Sequence, residues 1–213
     1  MNSIGIKYCG NKSLDDLKIT SESNANYLGF IFANGKRKIS PSDLEAWLKD
    51  VNVASKTLVG VFVNGTIEEI ANVLSFVPLS IIQCHGSESV QEVVELKVAF
   101  NKKVWKVIHH KEDAINLMKE FDGIADGYVI DSKVGKQWGG SGIAFDWSFI
   151  PQYVNEARRQ QVPCFIAGGI NKDNIRQLLS YDIDGIDVSS GIELENVKNK
   201  EIITIIEEQV KQK

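Results

Sequence analysis

The sequence predicts an α/β protein whose parallel strands close into a (β/α)8 barrel. Three features carry this expectation: short apolar runs alternate with polar stretches of helical character, the alternation occurs eight times, and no linker or low-complexity segment interrupts the 213 residues. Strict strand–helix alternation builds βαβ units and a parallel sheet. Open doubly wound sheets commonly use about five or six strands, so eight favour closure. One domain over residues 1–213 is expected, with helices shorter than in the usual ~250-residue barrel.

The first strand is expected over Ile4–Cys9, followed by a helix over Leu14–Ser21. Tyr27–Phe32 leads through a basic loop, Asn34-Gly35-Lys36-Arg37-Lys38, to a helix at Ser42–Asp50, with Ser42 after Pro41 as its start signal. Thr57–Val63 and Ile67–Ser75 make the third unit, and Thr66 with Glu69 three residues on reads as a capping box. Ser80–His85 with Val90–Ala99 and Lys103–Ile108 with Glu112–Glu120 are the fourth and fifth. Gly127–Asp131 and Phe145–Gln160 form the sixth. Pro163–Ala167 precedes a helix at Lys172–Leu179, marked by Asn171 ahead of Asp173, and Gly185–Val188 with Lys200–Lys211 ends the series.

Composition narrows the function classes. With 43% hydrophobic and 24% charged residues the chain has the balance of a globular protein with a real core. A net charge of −4 and a pI near 5.5 give no overall basic field to draw nucleic acid or an anionic membrane. The most apolar run, Leu58 to Val63, is far below the ~20 residues that span a bilayer. Met1 to Lys7 has no basic region followed by an apolar stretch, so no secretory signal is expected. Cys9, Cys84 and Cys164 are odd in number and widely spaced, which disfavours a disulfide framework or a zinc site. A cytoplasmic protein without metal is the simplest expectation.

Strand residues of a barrel alternate between the helix side and the interior. In the first strand Ile4, Ile6 and Tyr8 suit the helix side, leaving Gly5, Lys7 and Cys9 inward. The same parity turns Gln83 and His85, Val129 and Asp131, and Asp187 inward. Lys7, Cys9, His85, Asp131 and Asp187 therefore converge on the C-terminal mouth, where barrel active sites sit. Polar groups there are costly unless paired or functional.

The loops after strands seven and eight commonly hold phosphate in barrel enzymes. Here they read Ala167-Gly168-Gly169-Ile170-Asn171 and Val188-Ser189-Ser190-Gly191, and Gly139-Gly140-Ser141-Gly142 follows strand six. Glycine lets main-chain N–H groups approach an anion, and serine adds a hydroxyl donor. Any one such loop serves a tight turn equally well; three at neighbouring positions point to a phosphate site. Cys9 differs from Cys84 and Cys164, which read as small buried hydrophobes, because Lys7 on the same face favours its thiolate. Asp131 stands across the mouth, so an acid and a base flank one small substrate; a structural Lys7–Asp131 ion pair is the bland alternative, and parity does not choose between them. Arg37 overhangs the mouth and suits a carboxylate. His85 is open between core histidine and site residue. His109 and His110 lack metal-ligand spacing to a third partner and read as loop residues.

Taken in order, the motifs resemble one family, the phosphoribosylanthranilate isomerases, which are TIM barrels. The resemblance runs through Ile6-Lys7-Tyr8-Cys9-Gly10, Gly29-Phe30-Ile31-Phe32 leading to Lys36-Arg37, Gln83-Cys84-His85-Gly86 and Ile130-Asp131-Ser132-Lys133. It continues through Gly139-Gly140-Ser141-Gly142, Phe145-Asp146-Trp147, Ala167-Gly168-Gly169-Ile170-Asn171 and Asp187-Val188-Ser189-Ser190-Gly191-Ile192-Glu193. It implies a cofactor-free Amadori rearrangement of N-(5-phosphoribosyl)anthranilate, with Asp131 as general acid and Cys9 as general base. It further implies that Arg37 holds the anthranilate carboxylate, Asp187 a sugar hydroxyl, and loops six to eight the phosphate. Lys7 and His85 are expected beside the substrate. The expected partner is a phosphorylated small molecule, for a monomer or homodimer. Gly35 replaces a serine common in the family, and Ser141 a threonine. An indoleglycerol-phosphate synthase is the nearest rival, but it needs an N-terminal helical extension that is not expected here. A non-catalytic barrel that binds a phosphometabolite is the other.

Overall fold

A computed structural model describes residues 4–132 and 144–213. Eight parallel strands close in sequence order: β1 (Gly5–Tyr8), β2 (Tyr27–Ile31), β3 (Thr57–Phe62), β4 (Ile81–Cys84), β5 (Lys103–His109), β6 (Gly127–Asp131), β7 (Cys164–Ile166) and β8 (Gly185–Val188). The helices on the outside are α1 (Leu14–Ser21), α2 (Pro41–Asp50), α3 (Ile67–Phe76), α4 (Val90–Phe100), α5 (Ala114–Glu120), α6 (Ile150–Arg159), α7 (Ile175–Leu178) and α8 (Lys200–Lys211). A short hairpin, β9 (Glu193–Leu194) with β10 (Val197–Lys198), sits between β8 and α8. The barrel is the fold that the alternation predicts.

Several strands end one residue earlier than expected, yet their next residue keeps strand direction. Cys9 N–H donates to Val188 O at 2.9 Å, Phe32 N–H to Val61 O at 3.0 Å, and His85 N–H to Phe62 O at 2.8 Å. Each mouth residue is therefore still held by its neighbouring strand.

Helix starts follow local chemistry. Ser40 rather than Ser42 caps α2: its hydroxyl accepts from Asp43 N–H, and Pro41 takes the first turn, where a missing N–H costs nothing. Thr66 and Glu69 form the expected capping box, and Ser89 with Glu92 forms another. The helix expected from Phe145 begins only at Ile150, after a 3-10 turn over Trp147–Phe149. Pro151 lacks the N–H that would bond back into that turn, which stops the α-helix from extending upstream. Asn171 does not cap a helix at Lys172; its side-chain oxygen accepts from the N–H groups of Asp173 and Asn174, and the resulting turn delays α7 to Ile175.

Two apolar layers hold the barrel. Ile6, Tyr8, Leu28, Ile82, Cys84, Ile130 and Ile186 face the helices. Val59, Ile81, Trp105, Val107, Val129, Phe165 and Ala167 fill the interior. Trp105 and Phe165 lie 4.9 Å apart, each within 5.3 Å of the Tyr27 ring. These large rings dominate the interior, and each buried side chain of this kind contributes roughly 1.5–3 kcal/mol. In β4, β5 and β6 the interior polar side chains follow these apolar ones towards the mouth: Gln83 after Ile81, His109 after Val107 and Asp131 after Val129.

Candidate active site

On the β1–β8 side, Lys7 and Asp187 are register partners, and Lys7 Nζ donates to Asp187 Oδ2 at 2.8 Å. Lys7 is fully buried. Burial works against its ammonium, but Asp187 and then Cys9 outweigh it and raise its pKa. Asp187 Oδ1 is also buried and has no hydrogen-bond partner among the described residues. Gly29 on β2 makes room for this group: a Cβ there would stand 2.7 Å from Cys9 Sγ and 3.1 Å from Lys7 Nζ. Cys9 departs from expectation. Burial pushes its thiol above the ordinary range, and Lys7 offsets this only in part because Asp187 opposes it. The cation that was to free the thiolate is already committed to a carboxylate.

On the opposite side, Asp131 ends β6 with Oδ2 3.3 Å from His85 Nε2, at ion-pair distance but not aligned for a hydrogen bond. Asp131 Oδ1 is buried without a partner among the described residues. The bland alternative, a Lys7–Asp131 pair, is not what the structure shows: Lys7 pairs with Asp187. Gly168 crosses directly over Asp131 at φ +80°, where a Cβ would lie 2.5 Å from Ser132 Oγ and 2.8 Å from Asp131 Oδ1. Only glycine combines that backbone with that approach. Gln83 Nε2 lies 3.4 Å from His85 Nδ1, and His85 lines the cavity at the mouth.

His109 corrects the loop reading. It is the last residue of β5, in register with Asp131, and it turns inward so that its ring lies 5.4 Å from that of His85. Its Nε2 is 3.3 Å from His85 O. Burial, reinforced by the nearby His85, lowers its pKa to about 4, so the imidazole is neutral at pH 7. The alternation Trp105, Val107, His109 was the available signal. His110 faces the other way, with Nδ1 2.8 Å from Tyr153 OH.

A cavity of about 1090 Å³ opens at the strand C-termini, and both Cys9 and Asp131 line it. Arg37, His85, Asp187, Gly168, Gly169, Ser189 and Ser190 share that lining. Lys7 does not; it lies beneath, behind Asp187. Gly191 does not either: a Cβ there would meet Ile170 O at 1.8 Å, so this glycine lets the loop after β8 press on the loop after β7. Gly140, Ser141 and Gly142 lie outside the described residues.

Arg37 is not a free hook. It grips Glu193 bidentately, Nε to Oε1 at 2.8 Å and Nη2 to Oε2 at 2.7 Å. Lys198, from β10, donates to Glu193 Oε1 at 3.0 Å and to Cys9 O at 2.7 Å. Burial opposes the Glu193 charge, but the Arg37 hydrogen bonds and Lys198 prevail and hold its pKa down to about 2. Glu193 thus stays ionised across the working pH range and aims Arg37 at the cavity. Neither Glu193 nor Lys198 was assigned a role from sequence, although Glu193 closes the last of the quoted motifs.

A thiol and a carboxyl lining one cavity, with glycine- and serine-bearing loops in its wall, fit the (β/α)8 enzymes that move protons on a phosphorylated substrate. The comparisons name the branch. The family model for N-(5'phosphoribosyl)anthranilate (PRA) isomerase matches residues 6–209, and the chain belongs to that family. It is 50% identical over 212 residues to the N-(5'-phosphoribosyl)anthranilate isomerase of Geobacillus thermodenitrificans, covering 100% of this chain and 96% of that one. The crystal structure of the phosphoribosyl anthranilate isomerase from Thermotoga maritima superposes with a TM-score of 0.84 at 28% identity, covering 99% of this chain and 100% of that one. A phosphoribosyl anthranilate isomerase structure in complex with reduced 1-(o-carboxyphenylamino)-1-deoxyribulose 5-phosphate gives a TM-score of 0.81 at 28% identity, covering 99% of this chain and 100% of that one.

Proposed function

We propose that this mouth performs the Amadori rearrangement of N-(5-phosphoribosyl)anthranilate to 1-(2-carboxyphenylamino)-1-deoxyribulose 5-phosphate, the tryptophan-biosynthetic reaction of its family, with Asp131 as general acid and Cys9 as general base. The observation that carries the reading is that a thiol from the β1 end and a carboxyl from the β6 end line the same cavity. Asp131 in its acid form gives a proton to the furanose ring oxygen. As the C1′–O bond breaks, the nitrogen lone pair forms the C1′=N bond of a protonated Schiff base. Cys9, as thiolate, takes the C2′ proton; the C–H pair becomes the C1′=C2′ bond, and the C=N pair returns to nitrogen. The enolamine tautomerises to the ketone, so atoms and electrons balance within the substrate. The proton gained by Cys9 and that lost by Asp131 then re-equilibrate before the next turnover.

The remaining assignments rest on the same layout. Asp187 Oδ1 is left to accept from a sugar hydroxyl while Oδ2 holds Lys7, which acts through Asp187 and Cys9. His85 stands beside the acid. Gly168, Gly169, Ser189 and Ser190 take the phosphate. Arg37 takes the anthranilate carboxylate with the donors that Glu193 leaves. In this reading residues 1–213 work as one domain, a monomer or homodimer without cofactor, nucleic acid or membrane partner. The reducing cytoplasm is the proposed compartment, suited to three free buried cysteines. Among the described residues no helix is long and apolar enough to cross a membrane.

The direct test follows loss of phosphoribosylanthranilate fluorescence with the purified protein; a folded protein without turnover would overturn the reading. For Arg37→Ala, KM rises by the loss of a charge-assisted contact worth about 1.5–3 kcal/mol. Glu193→Gln raises KM in the same direction but less, because Arg37 keeps its charge and loses only its aim. An unchanged KM in both would make Arg37 a structural partner of Glu193 rather than a substrate contact.

A further inference from the structure

His85, His109 and Asp131 come from three consecutive strands, and one ligand-type atom from each lies within 4.8 Å of the others. Sequence spacing hides the set, because its members are separated by whole βα units. Register assembles it: His109 pairs with Asp131 across β5 and β6, and His85 lies just past the end of β4, hydrogen-bonded to β3. We propose that these three side chains form an inhibitory site for a borderline-soft divalent transition metal of the zinc class. Its inhibitory half rests on the reading of Asp131 as the acid; its binding half does not.

The geometry suits such an ion. Zinc–nitrogen and zinc–oxygen bonds of about 2.0–2.1 Å set neighbouring ligand atoms of a tetrahedron roughly 3.3 Å apart. His85 Nε2 and Asp131 Oδ2 already stand 3.3 Å apart. The widest separation in the set needs a modest side-chain rotation to close. Metal-bound histidines usually give their other ring N–H to a carbonyl or carboxylate, which fixes the tautomer. His109 has that arrangement, with Nε2 3.3 Å from His85 O, leaving Nδ1 as the nitrogen with the lone pair. The side-chain oxygen of Gln83 is buried and unpartnered among the described residues. Turning the Gln83 amide over lets its oxygen accept from His85 Nδ1–H and frees Nε2 to ligate. Two neutral imidazoles and one carboxylate are a donor set that zinc, cobalt and nickel favour over magnesium or calcium. An ion there takes the Asp131 oxygen as ligand, so that oxygen no longer carries the proton for ring opening.

The experiment titrates the full-length protein with Co2+, followed by its visible bands, and then displaces it with Zn2+ while activity is measured in parallel. One equivalent is expected to bind without a sulfur-to-metal charge-transfer band in the near ultraviolet. Zn2+ is expected to abolish turnover, and EDTA to restore it. His109→Asn and His85→Asn are each expected to weaken Co2+ binding by more than the ~10–100-fold that loss of an outer-shell partner costs, while Cys9→Ser binds as before. No binding, a thiolate band that disappears in Cys9→Ser, or wild-type affinity in both histidine variants each overturns the site. Binding that leaves turnover intact overturns the inhibition and shows that the fault lies in the role given to Asp131.

Discussion

Asp131→Asn is expected to lower kcat by at least ~10²-fold, the lower end of what one general acid contributes, with KM nearly kept. That loss corresponds to about 2.7 kcal/mol of transition-state stabilisation. The substitution keeps the size and planarity of the side chain, so the contact beneath Gly168 is retained and the fold stays intact. What it removes is a proton that a carboxylic acid gives up readily and an amide does not. Expulsion of the ring oxygen as an unprotonated alkoxide is then the costly step. A thermal melt shows whether the variant is folded, and single-turnover kinetics isolate the chemistry. Near-normal kcat would take Asp131 out of the proton path. A large rise in KM with kcat preserved would make it a binding group.

The sequence exposed the frame of this site better than its electrostatics. Strand parity placed Lys7, Cys9, His85, Asp131 and Asp187 at one mouth because it depends only on alternation, which β-geometry enforces locally. Helix ends were less legible where a single residue overrode the pattern: Pro151 delayed α6, and the Asn171 turn delayed α7. Pairings between distant segments left no local trace. Arg37 and Glu193 are 156 positions apart, and nothing in the basic loop announces its carboxylate. Cys9 was misread for the same reason, since the lysine two residues back looks like a free cation until Asp187 is seen to hold it. His109 was set aside because metal-ligand spacing was sought along the chain, whereas the barrel supplies it across strands.

That correction makes Cys9 the sharper test of the mechanism. With its thiol held above the ordinary range by burial, the free enzyme carries little thiolate at neutral pH. Alkylation by iodoacetamide should therefore be slow near pH 7 and should accelerate as pH climbs through and beyond the usual thiol range, with no neutral plateau. The label reports on Cys9: Cys84 faces the helices and burial pushes it up to about 12, while Cys164 is fully buried and pushed up too. Cys9→Ser should abolish labelling and lower kcat by at least ~10²-fold, because a hydroxyl in the same place scarcely ionises and is a far weaker base towards C2′–H. Gly29 leaves space for either side chain, so packing changes little and the loss is chemical. If the serine variant turns over normally, the C2′ proton leaves by another route. If alkylation instead levels off at neutral pH, Lys7 controls the thiol after all, and the Lys7–Asp187 pair is looser in solution than 2.8 Å implies.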